Sequence, residues 1–122
     1  MASLPTKKLF YVMDKTTIEE GKTMAIVAYI TFIGTLIAFF MNKDKRNSFT
    51  SFHIRQGLGI WLLYLALGYI IGVFDSWMIT YSFWIFFSAL FIYGVLGAAS
   101  GKENKIPLLG DFFQKLFKSI GQ

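Results

Sequence analysis

The sequence predicts an all-α integral membrane protein with three transmembrane helices and a C-terminal amphipathic interfacial helix. Three observations predict it. Hydrophobic residues make up 55% of the 122-residue chain and charged residues only 16%, where a soluble domain carries about 25% charge. Three segments are apolar on every side instead of striped, as a surface helix would be. Each of them is also close to the roughly 20 residues that a helix needs to cross a bilayer.

The first segment, residues 23–41, reads TMAIVAYITFIGTLIAFFM and holds no charge. The second spans about 54–74 if it is extended back through Ile54, with Arg55 snorkelling to the headgroups. The third, 77–99, holds no charge either. Only Asp75 and Ser76 separate the last two segments, which predicts a tight antiparallel hairpin. Its turn must lie at an interface, because lipid offers no partner to open backbone. Trp77 suits that place as an amphipathic ring beside a charge.

The chain thus divides into an N-terminal tail (1–22), a membrane domain (23–101) and a basic turn with a terminal helix (102–122). Residues 1–22 lack the apolar core of a secretory signal. Thr16 and Thr17 precede Glu19 and Glu20 by three residues. This capping-box spacing predicts a helix start near Thr17. After the third segment, Pro107 and Gly110 punctuate a turn. Phe112, Phe113, Leu116, Phe117 and Ile120 then recur at helical spacing, with Gln114, Lys115 and Lys118 between them. Such a helix rests in the membrane interface or docks on a partner.

Three crossings would put the first loop and the C-terminus on one side. That side holds Lys43, Lys45, Arg46, Arg55, Lys102, Lys105, Lys115 and Lys118, against Lys7, Lys8, Lys15 and Lys22 on the other. The excess predicts the first loop and the C-terminus in the cytoplasm. The net charge of +5 is thereby read as basic loops at anionic lipid, not as a nucleic-acid surface.

The chain lacks cysteine, which excludes disulfides and thiolate chemistry. His53 is the single histidine. With Arg55 and Gln56 it forms a polar cap at the mouth of the second helix, or alternatively a proton relay. A metal site would need further His or clustered carboxylates. No carboxylate lies within a span, which argues against a proton-coupled pump. Gly57, Gly68 and Gly72 share one helical face, and Gly97 and Gly101 share another. Small residues of this kind let helices approach closely in lipid.

Three stretches carry a family resemblance. NSFTSFHIRQG, with Asn47, Phe49, Phe52, His53 and Gln56, resembles a segment of small bacterial membrane proteins related to the chloroplast inner-envelope import component, the Tic-type family. EEGKTMAIVAYI is similar to that family's entry into its first helix, and Lys105 to Gly110 to its turn after the last span. The resemblance covers about residues 17–113. It implies no enzymatic activity and no cofactor.

The resulting expectation is a non-enzymatic accessory or scaffolding subunit of a bacterial inner-membrane complex, linked to protein translocation or membrane-protein assembly. Its expected partners are membrane lipids and other integral membrane proteins, with neither nucleic acid nor metal. Lys43, Lys45, Arg46, Pro107, Gly110, Phe112, Phe113, Leu116 and Phe117 would form the contact surface. The alternatives are a small homo-oligomeric channel or carrier, and a lipid-organising protein.

Overall fold

The computed structural model describes residues 6–120, with side chains described from residue 15 onward. The elements are α1 (Thr6–Ile30), α2 (Phe32–Lys45), α3 (Ser48–Val73), α4 (Trp77–Ala99) and α5 (Gly110–Leu116). No strand occurs among the described residues.

The first apolar segment is not one helix. It breaks at Thr31, whose backbone is extended at φ −148° and ψ 168°. The Thr31 hydroxyl accepts the Gly34 N–H at 2.8 Å and so caps α2. Thr35 Oγ1 donates to the Ala28 carbonyl at 2.6 Å, satisfying an acceptor that the end of α1 leaves open. Gly34 lies so close to the Val27 carbonyl that no side chain would fit there. The chain therefore folds back as a helical hairpin. At 14 residues, α2 spans only about 21 Å, short of a hydrocarbon core of about 30 Å.

The expectation of three transmembrane helices is corrected accordingly. Among the described residues two helices are long and apolar enough to cross a membrane: α3 with 26 residues and mean hydropathy 1.7, and α4 with 23 residues and mean hydropathy 1.8. The boundaries move as well. Helix α3 begins before residue 54 because Asn47 caps it, its side chain accepting the Thr50 N–H at 3.0 Å. Helix α1 begins before Thr17, so the threonine–glutamate pairs lie inside a helix and not at its start.

Direction follows from contacts. Asn47 Nδ2 donates to the Thr17 carbonyl at 2.8 Å, and Thr50 Oγ1 donates to the Gly21 carbonyl at 2.9 Å. Further along, Gly57 abuts Ala28. Thus α1 runs parallel to the first half of α3. Helix α2 returns antiparallel, and its Asn42 Nδ2 donates to Ser51 Oγ at 2.8 Å. Residues 15–22, the end of α2 with the 46–47 loop, and the end of α4 therefore share one end of the molecule. This corrects the placement of the N-terminal segment opposite the first loop.

Helices α3 and α4 meet along an aromatic seam. Tyr64 stacks on Phe83 with ring centroids 5.2 Å apart, and Trp61 meets Phe91 at 4.5 Å. Beyond this seam α3 and α4 expose Leu65, Tyr69, Ile70, Val73 and Trp84.

Candidate functional site

The polar side chains of α3 converge where α1, α4 and the 102–106 segment meet. His53 is fully buried. Its Nε2 lies 2.9 Å from the Lys102 carbonyl, and its Nδ1 lies 2.5 Å from Tyr29 Oη. A carbonyl only accepts, so Nε2 carries the proton and Nδ1 accepts from the tyrosine hydroxyl. The Tyr29 oxygen in turn accepts from Gln56 Nε2 at 2.9 Å. Gln56 also donates to the Asn104 carbonyl at 3.2 Å, and its Oε1 accepts the Ile106 N–H at 2.8 Å. Each donor in this chain faces an acceptor, and the network fixes one neutral tautomer of His53. Edge-on rings of Phe49 and Phe52, with centroids 4.8 and 5.0 Å from the imidazole, close the remaining sides.

The loop that completes the centre is delivered by a helix cap. The Lys102 N–H donates to the Gly97 carbonyl at 2.9 Å and the Gly101 N–H to the Ala98 carbonyl at 3.2 Å. With Gly101 at φ 73°, this is the Schellman arrangement. Gly101 thus turns the chain and aims the Lys102 carbonyl at His53.

The structure brings Phe49, Phe52, His53 and Gln56 into this centre, while Asn47 stays at the start of α3, bonded to Thr17, Asn42 and Thr50. Arg55 points elsewhere. Its Nε donates to the Ile120 carbonyl at 3.0 Å and its Nη1 to Gln114 Oε1 at 3.3 Å. Gln114 Nε2 then donates to the Phe52 carbonyl at 2.9 Å. Helix α5 is thereby strapped along α3, with Phe113 buried over Gly59. Phe112 and Leu116 remain exposed on its outer side, as does Leu108 in the turn before it, while Phe117 packs on the core. Gly110 backs onto Lys105. At the same turn Lys105 Nζ donates to Asp111 Oδ1 at 2.7 Å, which holds that carboxyl below its ordinary range. Lys43, Lys45 and Arg46 are exposed at the end of α2.

Among the glycines, Gly57 makes a close helix approach. Gly68 has the Phe83 ring at 3.5 Å from where a Cβ would stand, Gly97 has only ordinary contacts, and Gly72 faces open space. Sequence reading missed Tyr29, which fills the space beside Gly94 and bonds both His53 and Gln56. Its one signal is a tyrosine with an aliphatic neighbour on each side, Ala28 and Ile30. No group of three His, Cys, Asp or Glu that could hold a metal ion occurs among the described residues.

Residues 20–113 match the magnetosome magnetite crystal formation protein family. The chain belongs to this family. The matched stretch runs from the α1 contact with α3 to Phe113 of α5 and so contains the whole polar centre. No curated protein and no solved structure matches the chain. Membership in the magnetosome family corrects the Tic-type resemblance and, with it, the expectation of a translocation or assembly subunit. Neither the channel nor the lipid-organising alternative gains support. The motif residues behind the resemblance serve packing and loop anchoring here.

Proposed function

We propose that this magnetosome-family protein takes part in magnetite crystal formation as a two-span protein of the magnetosome membrane, acting from the membrane and its cytoplasmic face. The carrying observation is the distribution of charge. Lys15, Lys22, Lys43, Lys45, Arg46, Arg55, Lys102, Lys105, Lys115 and Lys118 gather at the end that holds the polar centre, together with Glu19, Glu20, Asp44, Glu103 and Asp111. The opposite end holds Asp75 alone among the described residues. Positive residues favour the cytoplasmic side. The first loop and α5 then face the cytoplasm, the hairpin α1–α2 enters the membrane from that side, and among the described residues only the turn from Phe74 to Trp77 reaches the mineral side.

Two features support a non-enzymatic role without a cofactor. Both nitrogens of His53 are committed to structural hydrogen bonds. The outer face of α5 and the turn before it suit lipid: Phe112 and Leu116 are exposed on the helix, and Leu108 in the turn is 96% exposed and held at φ 69°, a conformation costly for a leucine.

The cysteine-free chain makes topology directly testable. Single cysteines at Ser48, Ser76 and Ser119 are to be treated in isolated magnetosomes with a membrane-impermeant maleimide. Ser48→Cys and Ser119→Cys should label at once, and Ser76→Cys only after detergent. The inverse pattern refutes the orientation, and immediate labelling of all three refutes the crossing.

The role itself is read from crystals. Deleting the gene should change crystal size or shape in electron micrographs. An Asp75→Asn copy should restore the wild-type crystals as well as the unaltered gene does. If Asp75→Asn instead behaves like the deletion, the turn acts on the mineral directly and the membrane-side reading falls.

A further inference from the structure

We infer that the cleft between the end of α2 and the C-terminal segment is a binding site for the headgroup of an anionic phospholipid. The cleft has a volume of about 330 Å³. Lys43, Arg46 and Ser119 form its polar side, and Phe39, Ile54 and Ile120 its apolar side. Asn42 also borders it, but its side chain is spent on Ser51 and Asn47. Among the described residues no carboxylate lines it. Asp44 is exposed on the same helix turn and stands outside the lining.

The fold fixes the backbone of one cationic residue at the cleft. Arg46 closes α2 in the left-handed conformation at φ 48°, held by its N–H donating to the Asn42 carbonyl at 2.7 Å. Glycine would take that conformation without strain. The carbonyl end of α2 carries partial negative charge, so it opposes an anion. Binding therefore depends on the two cationic side chains and the Ser119 hydroxyl.

The apolar side decides between a lipid and a free anion. Phe39 makes an edge contact with Phe40 at 5.4 Å between centroids, and Phe40 is exposed on the outer face of α2 with Ile37 and Met41. The cleft is thus continuous with an apolar strip that acyl chains can follow. A free phosphate would use none of it. A zwitterionic choline headgroup would bring a fixed positive charge against Lys43 and Arg46. Anionic lipid attraction is on the order of fivefold per nearby cation, so the two cations should give a preference of roughly five- to thirty-fold.

This inference rests on the membrane reading above, but the two fail separately. The labelling pattern tests the crossing, and the lipid ratio tests the site. Detergent-purified protein is to be offered equal amounts of dioleoyl phosphatidylglycerol and dioleoyl phosphatidylcholine, and retained lipid read by native mass spectrometry. The expected result is preferential retention of phosphatidylglycerol in the range above. The double variant Lys43→Gln/Arg46→Gln should approach parity, while Lys15→Gln/Lys22→Gln, on α1, should keep the preference. Ser119→Asp, at an exposed position, puts a carboxylate at the cleft and should also lower it, which decides the matter if the double variant misfolds. Parity in the unaltered protein, or a preference unchanged in both cleft variants, overturns the proposal. Displacement of the lipid by millimolar inorganic phosphate overturns it too, in favour of a site for a free anion.

Discussion

Gln56→Leu should destabilise the protein by about 2–4 kcal/mol, because it orphans buried groups that nothing else can satisfy. The glutamine amide joins α3 to two separate pieces of chain through three groups: the Tyr29 hydroxyl on α1, and the Asn104 carbonyl and the Ile106 N–H of the segment after α4. Leucine fills a similar volume, so the loss is not a cavity. What remains is an Ile106 amide, 2% exposed at the residue level, with no acceptor. Tyr29 still donates to His53 but loses the donor that oriented its oxygen. Gln56→Glu should not rescue the protein. A carboxylate can accept from Ile106, but it cannot donate to Tyr29 or Asn104, and burying its charge adds a further cost. In detergent, Gln56→Leu should lower Tm by on the order of 10 °C. A midpoint within about 2 °C of the unaltered protein would show that the network is not fixing the loop. Trypsin sensitivity near Lys102 and Lys105 should rise in parallel, since the centre is what holds that segment down.

Part of this site is legible from sequence. His53 and Gln56, three residues apart at the start of an apolar run, mark polar groups that must find partners as the helix enters a dry environment. The partners themselves are not legible. They are mostly backbone carbonyls and amides, delivered by the cap at Gly101, and a cap can be read only once the end of α4 is known. Tyr29 was hidden for a different reason. Its neighbours are aliphatic on both sides, so it reads as one more lipid-facing aromatic.

The same logic explains the false crossing. Residues 23–41 satisfy every compositional test for a span, and hydropathy cannot see a fold-back. The break rests on two short hydrogen bonds, from the Gly34 N–H to Thr31 and from the Thr35 hydroxyl to Ala28, and on a glycine that lets two helices touch. Threonines inside a continuous helix can bond back to their own turn instead, so the residue types alone do not distinguish the two outcomes. The last hairpin was easier to read. Two uncharged segments joined by Asp75 and Ser76 allow little other than α3 and α4 side by side.

Gly57→Val and Gly72→Ala should move stability in opposite directions, although both replace a glycine on the same face of α3. At Gly57 a Cβ would stand 2.5 Å from the Ala28 carbonyl oxygen and 3.2 Å from its carbon. The obstacle is backbone within a helix, so it cannot rotate away. Helix α1 must move outward, and Tyr29 moves with it, away from both Gly94 and His53. Overpacking of this kind costs about 1–3 kcal/mol, and the loosened network adds to it. A total of about 3–5 kcal/mol is expected, enough to leave much of the protein unfolded if its stability is ordinary. At Gly72 nothing lies within 4 Å of the added carbon. Alanine there should stabilise α3 by up to about 1 kcal/mol through helix propensity alone. The measurement is the midpoint of denaturation in mixed micelles, followed by helical circular dichroism. If Gly72→Ala proves as damaging as Gly57→Val, the open end of α3 is packed against another chain in the membrane. In that case the glycine face is an intermolecular surface along its whole length, and the separation drawn between its two ends is wrong.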